Sequence, residues 1–139
     1  MRTLHLGLRV ADPDRAVAFY TAVGYEVVGR VPQTTSGQLT MLTLPDDDVV
    51  SLELVFDPTG AGQDRGTGLS HFVIQVDAMQ ATIDDLRAEG IEVAEPESPD
   101  GSPDFLTAWI TDPDDNRIEL VQWPAGHPDG MTAADWSSS

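Results

Sequence analysis

Residues 69–76 read LSHFVIQV, an apolar, strand-like run with a histidine near its start. A buried, unpaired polar group is costly, so His71 needs a hydrogen-bond partner, a metal or an exposed face. For a lone histidine a neighbouring carbonyl is enough. Residues 3–10, TLHLGLRV, place a second histidine at the same point of a second strand-like run. That repetition decides the fold.

His5 and His71 are 71 − 5 = 66 residues apart, and sliding the whole chain by 66 lays one half on the other without a gap. Val10 then falls on Val76, Gly24 on Gly90, Glu26 on Glu92 and Val27 on Val93, with Leu54 on Leu120 and Val55 on Val121 further along. Apolar matches of this kind arise from strand composition alone. The polar match does not: Glu53 falls on Glu119 at the same offset as the histidines, in a chain with three histidines and seven glutamates.

Local signals repeat as well. After TLHLGLRV, Asp12 and Pro13 supply a helix N-cap and first-turn proline, Ala16, Val17, Phe19, Tyr20 and Val23 make an apolar face, and Gly24 is the stop. YEVVGRV, QLTMLTL and VVSLELVF read as three strands parted by the turn-rich PQTTSG and PDDD. The second half gives a strand at LSHFVIQV, a helix after Asp77 with Met79, Ile83 and Leu86 inward and Gly90 as the stop, then strands at IEVAE, FLTAWI and RIELVQW. Each half is β-α-β-β-β. The expected organisation is one α+β domain over 1–139, built from modules 1–56 and 69–123 with a Gly-rich linker at 57–68 and a loop-like tail at 124–139. In that tail His127 is expected to be solvated and Trp136 to pack the segment down.

Composition removes several classes of function. Twenty-four acidic residues against seven basic ones, all arginine, give a formal charge of −17. This disfavours nucleic acid and anionic membrane as partners, because both require a positive surface. With no cysteine, there is no disulfide framework, and any metal must be held by nitrogen and oxygen. No apolar run approaches the ~18 residues of a membrane span, and MRTLHLGLRV is too short an apolar stretch for a signal peptide. A soluble protein of the cytoplasm is expected.

Side chains alternate along a strand, so Leu4, Leu6, Leu8 and Val10 point one way and His5, Gly7 and Arg9 the other. The same parity sets Glu53 opposite Leu52 and Leu54, groups His71 with Val73 and Gln75, and groups Glu119 with Arg117 and Val121. All four polar residues therefore occupy the face away from the helices. If they converge, they make a hard-to-borderline divalent site for Zn, Ni, Fe, Mn or Co. The alternative is two hydrogen-bonded His/Glu pairs lining a polar groove.

LHLGLRVADPDRAVAFYTAVGYEVV, LELVF, GLSHFVIQVD and DPDDNRIELVQW together resemble the vicinal oxygen chelate superfamily of glyoxalase I, bleomycin resistance proteins and dioxygenases, most closely its small bacterial glyoxalase I branch. The resemblance implies a curved eight-stranded sheet of paired modules around one metal, nickel or zinc foremost, with cobalt, manganese or iron as alternatives. Its ligands would be His5, Glu53, His71 and Glu119. It further implies a homodimer with shared sites, a low-molecular-weight thiol as co-substrate, and conversion of a 2-oxoaldehyde hemithioacetal to a 2-hydroxyacyl thioester through a metal-stabilised enediolate. Glu119 and Glu53 would move the proton, in either order, and Arg9 would pair with a substrate carboxylate or else with an acidic neighbour. One departure stands out: where the family typically has Asn-Trp-Gly after the fourth strand, this chain has Asp57, Pro58 and Thr59.

Relatives offer other chemistries. A coenzyme A thioester epimerase would use the same proton transfer, usually with Gln at the position of Glu53. Extradiol dioxygenases need two histidines and one carboxylate, as do fosfomycin-type thiol transferases, whereas this chain has a fourth candidate ligand. Bleomycin-resistance-like proteins sequester a drug and generally lack the ligands.

Overall fold

The computed structural model describes residues 3–60 and 68–136. Residues 61–67 of the expected linker and 137–139 of the tail lie outside the described residues. The chain divides into two compact units, Met1–Ser70 with Asp112–Asn116, and His71–Thr111 with Arg117–Ser139.

In the first unit β1 (Leu6–Arg9), α1 (Pro13–Val23), β2 (Glu26–Thr34), β3 (Gly37–Thr43) and β4 (Leu52–Phe56) form a sheet of order β1-β4-β3-β2 with one helix. β1 runs parallel to β4, and the other pairs are antiparallel. The helix starts as the sequence dictates. Asp12 is extended (φ −137°), its side chain accepts from the Arg15 N–H, and Pro13 occupies the first turn. It ends at Gly24, whose φ of +131° suits glycine and whose N–H closes onto the Tyr20 and Thr21 carbonyls. Ala16 and Tyr20 are fully buried, against a core that includes Leu8, Leu42, Leu52 and Leu54.

The connection Asp112–Asn116 belongs to this unit and is closed by hydrogen bonds. The Tyr20 hydroxyl donates to Asp112 Oδ2 at 2.5 Å, and the Asp114 and Asn116 backbone N–H groups donate to Asp112 Oδ1 at 2.8 Å. The Ala11 N–H donates to Asp114 Oδ1 at 2.9 Å. Burial, and then the Asp112 charge, pushes the Tyr20 hydroxyl well above the usual phenol range. Asp115 takes the left-handed φ of 65° at the turn.

In the second unit β5 (Phe72–Gln75), α2 (Met79–Ala88), β6 (Leu106–Thr111) and β7 (Arg117–Gln122) form a sheet of order β5-β7-β6, and a 3-10 turn, Ala133–Trp136, lies in the tail. The parallel pair repeats the first unit residue for residue. Gly7 faces Glu53 and Leu8 faces Leu54; 66 residues on, Val73 faces Glu119 and Ile74 faces Leu120. Helix α2 buries Met79, Ile83 and Leu86, as its spacing requires. Ala78 stands where Asp12 does and has no capping side chain, so Gln122 Oε1 accepts the Met79 N–H at 2.7 Å instead.

The fold is α+β as expected, and of the eight expected strands the described residues form seven, in sheets of four and three. The eighth, IEVAE, is not a regular strand, and two further expectations need correction. Glu97 and Thr107 make an isolated bridge, and two residues on the Trp109 carbonyl takes the N–H of Ala94 rather than of Glu95. The slip spans Pro96, which has no N–H to give. His127 is not solvated: its ring contacts the Pro128 carbonyl at 2.7 Å and Asp135 Oδ1 at 2.6 Å, and it stacks on Trp123. Trp136 does not pack the tail down, since it is 75% exposed. The tail is held by Gln75 instead, which donates to Asp129 Oδ1 and accepts from the Gly130 N–H. Among the described residues no helix is long and apolar enough to cross a membrane.

Candidate functional site

Strand alternation sorts β1 and β4 as expected, but Leu4, expected on the core face, is 59% exposed. Leu8 and Val10 are buried while His5, Gly7 and Arg9 are exposed, and Glu53 lies between buried Leu52 and Leu54 but points to the other face. His5 directly precedes β1, one step diagonally from Glu53, and its Nε2 stands 3.1 Å from Glu53 Oε2. The row across the sheet is Gly7, Glu53, Met41 and Gly29. Gly7 leaves Glu53 open on one side: a Cβ there would have only the Val55 side chain within 4 Å, at 3.9 Å.

The second unit carries the same row in other residues: Val73, Glu119 and Trp109. His71 directly precedes β5, as His5 precedes β1. Its ring meets Trp109 edge-on, with centroids 5.1 Å apart and planes at 77°. The Arg117 guanidinium carbon lies 4.2 Å from the Trp109 ring centroid. Strand parity puts Arg117 on this face without giving it a role, and it gives no sign of Trp109 or Met41 there.

Arg9 is exposed at the end of β1. Asp57 follows β4 and its carboxyl is held below the usual range, first by the Thr59 hydroxyl and N–H that donate to it and then by the Arg9 charge. The guanidinium thus has an acidic neighbour in the segment where the family pattern is broken.

His5 and Glu53 suit a divalent ion. With metal–ligand bonds of about 2.1 Å, two ligands at 90–109° stand about 3.0–3.4 Å apart, and the observed 3.1 Å falls within that span. The pair is also a hydrogen bond, the alternative open from the sequence. Among the described residues no group of three or more His, Asp or Glu side chains is gathered closely enough to hold a metal. The first unit brings one imidazole and one carboxylate together, and in the second His71 directly precedes β5 while Glu119 lies on β7 opposite Val73.

A profile of the Glyoxalase/Bleomycin resistance protein/Dioxygenase superfamily matches residues 2–120. A probable lactoylglutathione lyase of Vibrio cholerae is 33% identical over 130 residues, covering 91% of this chain and 94% of that protein. A lactoylglutathione lyase of Arabidopsis thaliana is 29% identical over 124 residues, 87% of this chain; the chain spans only 44% of that relative's length. Among solved structures, a glyoxalase I variant of Zea mays matches with a TM-score of 0.72 at 27% identity, covering 88% of this chain and 44% of the other.

Proposed function

The chain belongs to the glyoxalase/bleomycin resistance protein/dioxygenase superfamily, and on that premise we propose that it is a metal-dependent lyase of the glyoxalase I type. It isomerises the hemithioacetal of a 2-oxoaldehyde and a thiol to a 2-hydroxyacyl thioester. The observation that carries this reading is the 3.1 Å approach of His5 Nε2 and Glu53 Oε2, with His71 and Glu119 at the same two positions of the repeated parallel strand pair.

His5, Glu53, His71 and Glu119 would hold the metal, nickel or zinc foremost. When bound, the ion supplies electrostatic stabilisation of the charge that develops on the substrate oxygens as a carbon proton leaves. One glutamate removes the proton from C1 of the hemithioacetal and a glutamate returns it to C2, while the C1 hydroxyl proton passes to the C2 oxygen, so the substrate's atoms are only rearranged. Glu119 and Glu53 take these roles. Arg9 pairs with an anionic group of the thiol, which competes with Asp57 for the guanidinium, so this chain favours thiols of low negative charge over strongly anionic ones.

A homodimer completes the site. One unit contributes two donors, and a divalent ion takes four or more. A twofold pair in which His5 and Glu53 of one chain meet the partner's His71 and Glu119 supplies four donors at each of two equivalent sites.

The reading is tested by elemental analysis of the purified protein and an assay with hemithioacetals of several thiols. It expects about one divalent ion per chain and thioester formation that fails when the ion is removed. No bound metal after loading, together with no effect of His5→Ala and His71→Ala, would replace it with a ligand-sequestering protein of the bleomycin-resistance kind.

A further inference from the structure

The two units share a strand register but place different side chains beside their histidines. In the first, a carboxylate fixes the ring: His5 lies against Glu53 at 3.1 Å. In the second, an aromatic side chain stands beside the ring. Trp109 lies directly across the β6–β7 ladder from Glu119, and its indole makes a T-shaped contact with the His71 ring. Arg117, two residues before Glu119 on the same face, places its guanidinium over that indole. The corresponding residue opposite Glu53 is Met41, which has no ring.

From this we infer that Trp109 is a positioning residue for His71, with Arg117 fixing the indole. The inference rests on the reading of His71 as a metal ligand. His71 directly precedes β5, whose first paired residue is Phe72. Ordering a ligand's ring only when the ion arrives weakens binding, so a neighbour that already stands against the ring favours it. The T-shaped contact directs the electropositive edge of one ring to the electron-rich face of the other. The cation on the indole limits its own rotation in turn. Arg117, Trp109 and His71 thus form a line of contacts along the face that carries Glu119.

The test is zinc(II) affinity, measured by competition with a chromophoric chelator in wild type, Trp109→Phe, Trp109→Leu, Arg117→Gln and His71→Ala. Removing a residue that orients a metal ligand typically costs about 10- to 100-fold in affinity, and a loss in that range is expected for Trp109→Leu. Trp109→Phe keeps an aromatic face and should bind close to wild type. Arg117→Gln alters only an exposed side chain and should weaken zinc by a smaller but measurable factor. In the zinc-free protein, NMR should find the His71 ring protons displaced from their free shifts by the indole ring current in wild type and released in Trp109→Leu. The inference is overturned if Trp109→Leu or, where that variant does not fold, Arg117→Gln binds zinc like wild type while His71→Ala does not. If His71→Ala also binds like wild type, the ligand reading fails and the positioning role goes with it.

Discussion

His5 Nε2 and Glu53 Oε2 lie 3.1 Å apart although 48 residues separate them in the chain. The contact exists because β1 and β4 run parallel with Gly7 facing Glu53, so the residue just before β1 falls diagonally across from the carboxylate. Neither ring nor carboxylate is deeply buried, with side-chain exposures of 38% and 19%, so both can turn toward a ligand at little cost. The roles proposed for the glutamates are testable at this pair and its counterpart.

Gln keeps the oxygen donor and nearly the shape of Glu but cannot accept a proton at neutral pH. Glu119→Gln should retain metal while turnover falls by ~10²- to 10⁴-fold, the usual contribution of general base catalysis. If each glutamate serves one stereoisomer of the substrate, the single variants will stop part-way through a racemic hemithioacetal. Bound metal and reaction end point should be measured together for Glu119→Gln, Glu53→Gln and the double variant. A double variant that holds metal and turns over like wild type removes both residues from the chemistry.

The Tyr20 hydroxyl is buried and spent on Asp112. Tyr20→Phe keeps the ring, including its edge contact with Tyr25, but leaves Asp112 Oδ2 with only the Asn116 side-chain amide. Hydrogen bonds to charged groups contribute about 1.5–3 kcal/mol, so a stability loss of that order is expected in chemical denaturation. An unchanged midpoint would mean that the loop Asp112–Asn116 is held without this bond.

Both ring nitrogens of His127 face acceptors, the Pro128 carbonyl and Asp135, an arrangement that the doubly protonated ring satisfies. The Asp135 bond first, then that carbonyl, raises the His127 pKa above 6.5; Asp135 is lowered below 3.8 first by the Thr132 N–H and then by His127. A raised histidine stabilises the folded tail fully below the unfolded value and loses that contribution as pH climbs through the folded one. A lowered carboxylate does so above its unfolded value and fails as pH drops through the folded one. The tail should therefore be best fastened between about pH 4 and 6.5 and loosen on the alkaline side. An NMR titration of His127 should give a midpoint above 6.5 that moves back toward 6.5 in Asp135→Asn. An equal midpoint in the variant would contradict the pairing.

What the sequence revealed, and what it hid, is clearest at Trp109. Strand alternation and one offset were enough to place His5, Glu53, His71 and Glu119, because β1, β4, β5 and β7 repeat without a gap. The third strand of each unit does not. Met41 faces Glu53 and Trp109 faces Glu119, an offset of 109 − 41 = 68, because the connection to the last strand is two residues shorter in the second unit. Slid by 66, Trp109 falls on Thr43 and its place beside the site disappears. The tail was misread for another reason. Nothing in the periodicity of WPAGHPDGMTAADW indicates that Gln75, some fifty residues earlier, anchors it.

The central claim, that each site draws one His/Glu pair from each of two chains, is tested most directly by mixing two inactive variants. His5→Ala and His71→Ala homodimers should each lack turnover, since each has one ligand missing from both sites. After subunit exchange, half of the dimers pair one variant with the other. Each such heterodimer has one site with all four ligands and one site missing both histidines, so the mixture should regain about a quarter of wild-type activity. A mixture that exchanges subunits, as seen by mass spectrometry of tagged chains, yet stays as inactive as its parents would contradict the shared site.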